Sequence, residues 1–392
     1  LNGMENFTFH NPTKIIFGKD TEGQTGAEVA RFARKVLLHF GGGSVVKSGL
    51  LDRVRASLKA AGVEAIELGG ALPNPRVALV REGIALCRKE GIGFILAVGG
   101  GSVIDSAKAI AVGVPYSGDV WDFYEYTARP ERALDVGVVL TIPAAGSESS
   151  NSSVISNLEL KLKRGLTNDL LRPRFAIMNP ELTYTLPAYQ TACGSADIMA
   201  HVMERYFTNT EHVAFTDRLC EATLRTMIAA VPLALARPAD YGARAEIMWA
   251  GTVAHNDLLS TGRVGDWGSH GIEHEISALY DVAHGAGLAV VFPAWMRFVL
   301  SHDVARFAQF AARVWDVEPD FQNLKTTALE GIARLESFFR SIGLPVRLSE
   351  LGVGDERIGE MAEKSVVKGN GFLGNFVRLD AAAVREILMA AR

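Results

Sequence analysis

The stretch FILAVGGGSVIDSAKAIA, Phe94–Ala111, decides how the first half of this chain folds. Its first five residues, Phe94–Val98, have the length and apolar composition of a buried strand. Gly99–Ser102 interrupts that run, and Val103–Ala111 resumes at helical spacing, so strand, tight turn and helix form half of a βαβ unit. Ser102 and Asp105 stand at capping-box spacing on the helix start. Gly99, Gly100 and Gly101 allow close backbone approach to a phosphate, and the helix start with Ser102 offers N–H groups to an anion. A dinucleotide pyrophosphate fits such a turn. The text is not G-x-G-x-x-G, because Ile104 stands where the third glycine belongs.

The same alternation extends on both sides. Lys14–Phe17, Val36–Phe40, Glu64–Leu68, Val136–Ile142 and Phe175–Met178 read as further strands. Gln24–Arg34, Gly49–Ala61 and Arg76–Glu90 read as the helices between them. Residues 1–179 are therefore expected to form a dinucleotide-binding α/β domain with a doubly wound parallel sheet. Ligands of such sheets bind beyond the C-terminal strand ends, which directs attention to two more loops. One reads Gly41, Gly42, Gly43, Ser44 and then Lys47; no acid is present there to accept from a ribose 2′-hydroxyl, so its N–H groups, hydroxyl and lysine favour the 2′-phosphate of NADP(H) over NAD(H). The other runs from Thr141 to Ser149, where Thr141 and Ser147 suit a phosphate or sugar contact.

Past Asn179–Pro180 the alternation stops, and residues 180–392 read as an all-helical domain; Val304–Val314, Thr326–Ile342 and Ala382–Ala391 repeat apolar residues every three or four positions. Clefts between domains are favoured ligand sites. At 392 residues and 48% hydrophobic, two cores are expected. A net charge of −4 without a long basic run argues against a nucleic-acid partner. No apolar run reaches bilayer length and no secretory signal is evident, which gives no membrane partner and a cytoplasmic location as the expectations. Cys87, Cys193 and Cys220 form no paired motif, and a reducing compartment follows.

Four residues of the second half invite a metal. Asp197 and His201 lie four apart in a helical segment and leave one face about a turn from each other. With nine histidines and 44 acids in the chain, about one such pair arises by chance, so the pair needs company. His270, His274 and His284 supply it. Imidazoles with one carboxylate suit Fe²⁺ or Zn²⁺, and spacing alone leaves His270 and His274 equally eligible.

Taken in order, NPTKIIFGK, the PNP at Pro73–Pro75, GGGSVIDSAKAIA, TIPAAGSES, the Asp197/His201 pair and HGIEHEISALYDVAHGAGLAV resemble the iron-containing (group III) alcohol dehydrogenase family over essentially the whole chain. HFGGGSVVKSGLLDRV and DWGSHGIEHE are most similar to its NADPH-dependent aldehyde reductase and butanol dehydrogenase branch, with a dehydroquinate synthase-like fold. The resemblance implies Asp197, His201, His270 and His284 as ligands of Fe²⁺ or Zn²⁺, with His274 left beside the nicotinamide. It implies cofactor contacts at Asn74, Gly99–Ser102, Asp105, Thr141, Ser147 and Lys163, and a homodimer paired through Lys14–Phe17. Ala145 replaces the second threonine of the family's T-x-P-x-T-G-S-E. The implied reaction interconverts short-chain aldehydes and primary alcohols by hydride transfer. Competing readings are a polyol (glycerol-type) dehydrogenase and a dehydroquinate synthase-like lyase; the latter needs basic residues for a phosphorylated substrate, and the region from Arg263 to His284 holds that one arginine and no lysine.

Overall fold

The structure is a computed structural model that describes residues 3–392. The first compact unit, His10–Thr185, is built on a six-stranded sheet of β1 (Lys14–Phe17), β2 (Lys35–Gly41), β3 (Glu64–Ala71), β4 (Phe94–Gly99), β5 (Asp135–Leu140) and β8 (Phe175–Met178). The order is β1-β8-β5-β4-β2-β3 and every pairing is parallel. All six residues of β4 are buried, as a strand covered on both faces requires. Crossovers run through α1 (Thr25–Val29), α2 (Ser44–Lys47), α3 (Leu50–Ala60), α4 (Val77–Glu90), α5 (Gly101–Gly113) and α6 (Trp121–Tyr124). Under the sheet, the rings of Phe32, Phe94 and Phe175 stack at 5.6 to 6.3 Å.

Strand order reverses between β2 and β4. From β2 the chain steps outward to β3, returns to the other side of β2 as β4, and continues the opposite way to β5. Such a switch point is where open α/β sheets bind ligands. The register pairs Phe40 with Val98 and Gly99 with Leu140, so the loops after β2, β4 and β5 are neighbours at one sheet end.

Three features differ from the sequence expectation. The helix expected over Gln24–Arg34 ends at Val29; Gly26 brings α1 against α3 so closely that a Cβ there would lie 2.0 Å from the Ser57 carbonyl oxygen, and Phe32 then turns down onto Phe94. The span 143–174 contains a hairpin, β6 (Ser152–Asn157) with β7 (Leu162–Thr167), whose weak alternation and polar turn concealed it. The capping box at Ser102/Asp105 does not form, because the N-cap of α5 is Gly100 and Asp105 turns inward.

The second unit comprises residues 186–392 and the N-terminal segment through Phe9, which the sequence reading had placed with the sheet; Glu5 N–H bonds the Gly262 carbonyl. It is helical throughout: α7 (Ala188–Tyr206), α8 (Ala214–Ala236), α9 (Tyr241–His255), α10 (Gly268–Tyr280), α11 (His284–Val299), α12 (Val304–Trp315), α13 (Leu324–Ser341), α14 (Ile358–Val366) and α15 (Ala381–Ala390). At 23 residues α8 is long and apolar enough to cross a membrane by length and composition. Its Asp217 and Glu221, however, are paired inside the unit: Asp217 accepts from Arg263 and Arg306, Glu221 from Tyr206. Those partners are what a core helix needs to carry acids.

Candidate functional site

In the first unit, α5 begins without a side-chain cap, which leaves its first N–H groups open to an anion. The glycines before it also have a packing role. A Cβ on Gly99 would meet Val103, one on Gly100 would meet Ile142, and one on Gly101 would meet Ala145. The loop after β4 thus lies flat against the loop after β5, and Thr141 N–H bonds the Gly99 carbonyl. On the other side of the switch point, Gly42, Gly43, Ser44 and Lys47 are exposed, with Gly43 capping the single turn of α2; a Cβ on Gly42 would meet nothing.

Asp105 is buried and already engaged. It accepts from the Ser147 hydroxyl at 2.5 Å and from Val154 N–H at 2.9 Å, while its carbonyl accepts from Ser153. Burial raises the pKa of its carboxyl, against the opposing pull of Lys108 and Ser147. Lys108, fully buried one turn on, donates to the carbonyls of Ser150 and Ser152. These contacts clamp the 147–154 segment onto α5. The hairpin then brings buried Lys163 within electrostatic reach of Asp105. Asn74, buried in the left-handed conformation, lies in a loop whose Pro75 carbonyl bonds Ser156 N–H. The structure therefore gathers Asn74, Asp105, Ser147 and Lys163 around one hairpin, a grouping no sequence spacing indicated.

In the second unit, Asp197, His201 and His270 are buried, and His284 is partly exposed. Asp197 Oδ1 lies 3.3 Å from His201 Nδ1, 3.8 Å from His270 Nε2 and 3.7 Å from His284 Nε2. The ligand atoms of Asp197, His201 and His270 all fall within 4.8 Å of one another. Asp197 Oδ1, His201 Nδ1 and His270 Nε2 are buried without a hydrogen-bond partner among the described residues. Buried polar atoms left so are costly, and a divalent cation is the group that would satisfy all three at once. Burial, with neighbouring His255 and His270, holds the His201 imidazole well below its usual range. Burial also opposes protonation of His270, but the neighbouring Asp197 and Glu204 carboxylates outweigh it and raise its pKa to about 9, so a cation seated between Nε2 and Asp197 would take the place of that proton. His274 sits on α10 with its ring centroid 5.5 Å from that of His284.

Three helices deliver these groups. Asp197 and His201 share a face of α7, His270 lies in the first turn of α10, and His284 is the first residue of α11. Gly285 allows this: its Cβ would lie 1.9 Å from the Cys193 carbonyl oxygen, so only glycine lets α11 approach α7 one turn before Asp197. Two residues escaped the sequence reading. Glu204, three after His201, accepts from His270 Nδ1 at 2.8 Å, and Glu273, three after His270, accepts from His284 Nδ1. Both are fully buried, and their spacing from His201 and His270 within one helix does not show that each reaches a histidine of another. Trp267 packs its ring against His201, His255 and His270. Arg263 is buried, donating to Asp217 and to the Arg205 and Val213 carbonyls, so it is committed to structure.

A parallel sheet with glycine-rich loops at its switch point, in one chain with a buried cluster of one carboxylate and imidazoles, is the residue chemistry that a nicotinamide oxidoreductase working with a metal would need. The chain belongs to the iron-containing alcohol dehydrogenase family: residues 12–180 match iron-containing alcohol dehydrogenase, and residues 191–392 match the C-terminal part of the Fe-containing alcohol dehydrogenase family. It is 44% identical over 388 residues to a probable NADH-dependent butanol dehydrogenase 1 of Bacillus subtilis, covering 99% of this chain and 100% of that one. It is 36% identical over 392 residues to the NADPH-dependent aldehyde reductase YqhD of Escherichia coli, covering 99% and 100%. The crystal structure of an NADH-dependent butanol dehydrogenase A from Thermotoga maritima superposes with a TM-score of 0.96 at 40% identity, covering all of both chains. The protein is thus an alcohol dehydrogenase or aldehyde reductase that uses a nicotinamide cofactor and a metal such as iron.

Proposed function

We propose that this enzyme reduces short, unbranched aldehydes to primary alcohols with NADP(H), and runs the reverse oxidation, at a centre where Asp197, His201, His270 and His284 hold Fe²⁺ or Zn²⁺. The observation that carries the reading is the convergence of Asp197 Oδ1, His201 Nδ1 and His270 Nε2 as buried atoms without partners. When bound, the cation supplies electrophilic polarisation of the substrate oxygen and the nicotinamide supplies the hydride. One carboxylate among four ligands leaves a dication a net charge near +1 from these residues, so the centre stays electrophilic. His274 is assigned to moving a proton between the alcohol oxygen and solvent, a task its imidazole suits near neutral pH. Gly99–Ser102 and the start of α5 are assigned to the pyrophosphate, with Thr141, Ser147, Lys163 and Asn74 along the rest of the cofactor. Asp105 acts by holding Ser147, since its own oxygens are occupied.

NADP(H) is preferred on residue chemistry: Gly42–Ser44 and Lys47 present N–H groups, a hydroxyl and a cation with no carboxylate. The relatives' names include both NADH- and NADPH-dependent enzymes, so the preference rests on Gly42–Ser44 and Lys47. Buried free Cys87, Cys193 and Cys220 support a cytoplasmic setting. Strand β1, at the sheet edge with a partner on one side, supports pairing of two copies, which light scattering would check. The decisive assay follows NADPH absorbance with butyraldehyde after loading with Fe²⁺ or Zn²⁺. Steady oxidation is expected; none with any short aldehyde would falsify the reading.

A further inference from the structure

Two fully buried acids, Glu204 and Glu273, stand behind the histidines and contact them directly. Glu204 lies on α7 at the seventh position after Asp197, on the face that carries Asp197 and His201. Its Oε2 accepts from Trp267 N–H at 2.7 Å; its Oε1 accepts from His270 N–H at 2.9 Å and contacts His270 Nδ1 at 2.8 Å. Trp267 is the N-cap of α10, in the left-handed conformation. A side chain from α7 therefore caps the start of α10 and holds the ring of its first histidine. Both oxygens already accept backbone N–H groups, so Nδ1 of His270 must be the donor, which leaves the lone pair on Nε2. That atom faces Asp197 Oδ1.

Glu273 repeats the arrangement one helix further on. From α10 its Oε2 accepts from His284 Nδ1, while its Oε1 accepts from Ser277. Gly287 makes room for it, since a Cβ there would lie 2.7 Å from Glu273 Cγ. His284 Nε2 is thereby turned to Asp197 Oδ1 at 3.7 Å. Each helix thus supplies the acid that orients a histidine of the next: α7 acts on α10, and α10 acts on α11.

We propose that Glu204 and Glu273 are positioning residues for the metal centre, each fixing the tautomer and ring plane of one histidine so that its Nε2 lone pair faces the point shared with Asp197 and His201. The proposal rests on the reading of those four residues as ligands. Acids in this place raise ligand basicity as well as fixing orientation, and losing one costs about 10- to 100-fold in metal affinity.

The test measures Zn²⁺ dissociation constants by chelator competition for wild type, Glu204→Gln, Glu273→Gln and Asp197→Ala, with the Co²⁺ ligand-field spectrum of each and circular dichroism of each metal-free protein. Expected are one tight ion in the wild type, none in Asp197→Ala, and about 10- to 100-fold weaker binding with an altered Co²⁺ spectrum in the two glutamine variants. Wild-type affinity and spectrum in folded Glu273→Gln would overturn the proposal even if Glu204→Gln fails to fold for want of its cap. A wild type that binds no ion, or an Asp197→Ala protein that binds one as tightly, would instead overturn the ligand assignment.

Discussion

His284 and Gly42 are the two residues at which the account is most exposed. His284 is the least buried of the four proposed ligands, its side chain 24% accessible, and it opens α11 with no side-chain cap. Replacing it with alanine leaves three ligands, so His284→Ala should weaken metal retention and lower kcat by orders of magnitude; metal content and turnover measured together decide it. Full activity with unchanged metal would remove His284 from the set. Gly42 faces open space, so Gly42→Asp introduces a carboxylate without a clash. It should repel a 2′-phosphate and shift the ratio of kcat/KM towards NADH. An unchanged ratio would mean that the 2′-position is read elsewhere.

Among the elements, the proposed metal site depends on a close approach of two helices. Gly285 brings α11 against α7, and a methyl group there would force the helices apart at the turn that delivers both Asp197 and His284. Gly285→Ala should cost about 1–3 kcal/mol and weaken metal binding together, whereas Gly42→Asp should leave stability alone; thermal unfolding with and without metal separates them. In the sheet, His39 of β2 is buried, with Nδ1 2.8 Å from the Leu68 carbonyl on β3 and Nε2 3.0 Å from Ser106 Oγ on α5. Burial lowers its pKa to about 4. A base depressed in the fold is protonated first when unfolded, so its contribution is full above pH 6.5 and is lost as pH falls towards 4, by about 3 kcal/mol. The melting temperature of wild type should therefore fall faster than that of His39→Asn between pH 7 and 5. Parallel slopes would contradict this.

At this scale the sequence reading was most and least successful. Strands β4 and β8 were legible because a buried parallel strand is a continuous apolar run, and Gly99–Ser102 because glycines cluster where chain meets chain. The hairpin β6–β7 was not, since Ser152–Asn157 and Leu162–Thr167 carry mixed polar residues that pair with each other, with β6 packed on α5 and β7 on α6. Its absence is why Lys163 fitted no pattern and why Asp105, whose hydrogen-bond partners Ser147 and Val154 lie 42 and 49 residues further on, passed for a cap. Glu204 and Glu273 were missed for another reason: a buried acid without a nearby cation looks like any surface acid until the helix that receives it is known.

Across the whole molecule there are two separately cored units, His10–Thr185 and residues 186–392, and the proposed function assigns the dinucleotide to the first and the metal to the second. The family match spans both. Because the proposed cofactor contacts other than His274 all lie in the first unit, metal-free protein should bind NADPH within about a factor of two of the loaded enzyme, by fluorescence titration; loss of binding on stripping would show that the metal helps to build the cofactor site. The central claim is the position of the ion. Anomalous diffraction at the iron and zinc edges, from crystals of protein shown to be active, should give one peak about 2.0–2.2 Å from Asp197 Oδ1 and from a ring nitrogen each of His201, His270 and His284. A peak placed instead among Glu273, His274 and His284, or no peak at Asp197, would contradict it.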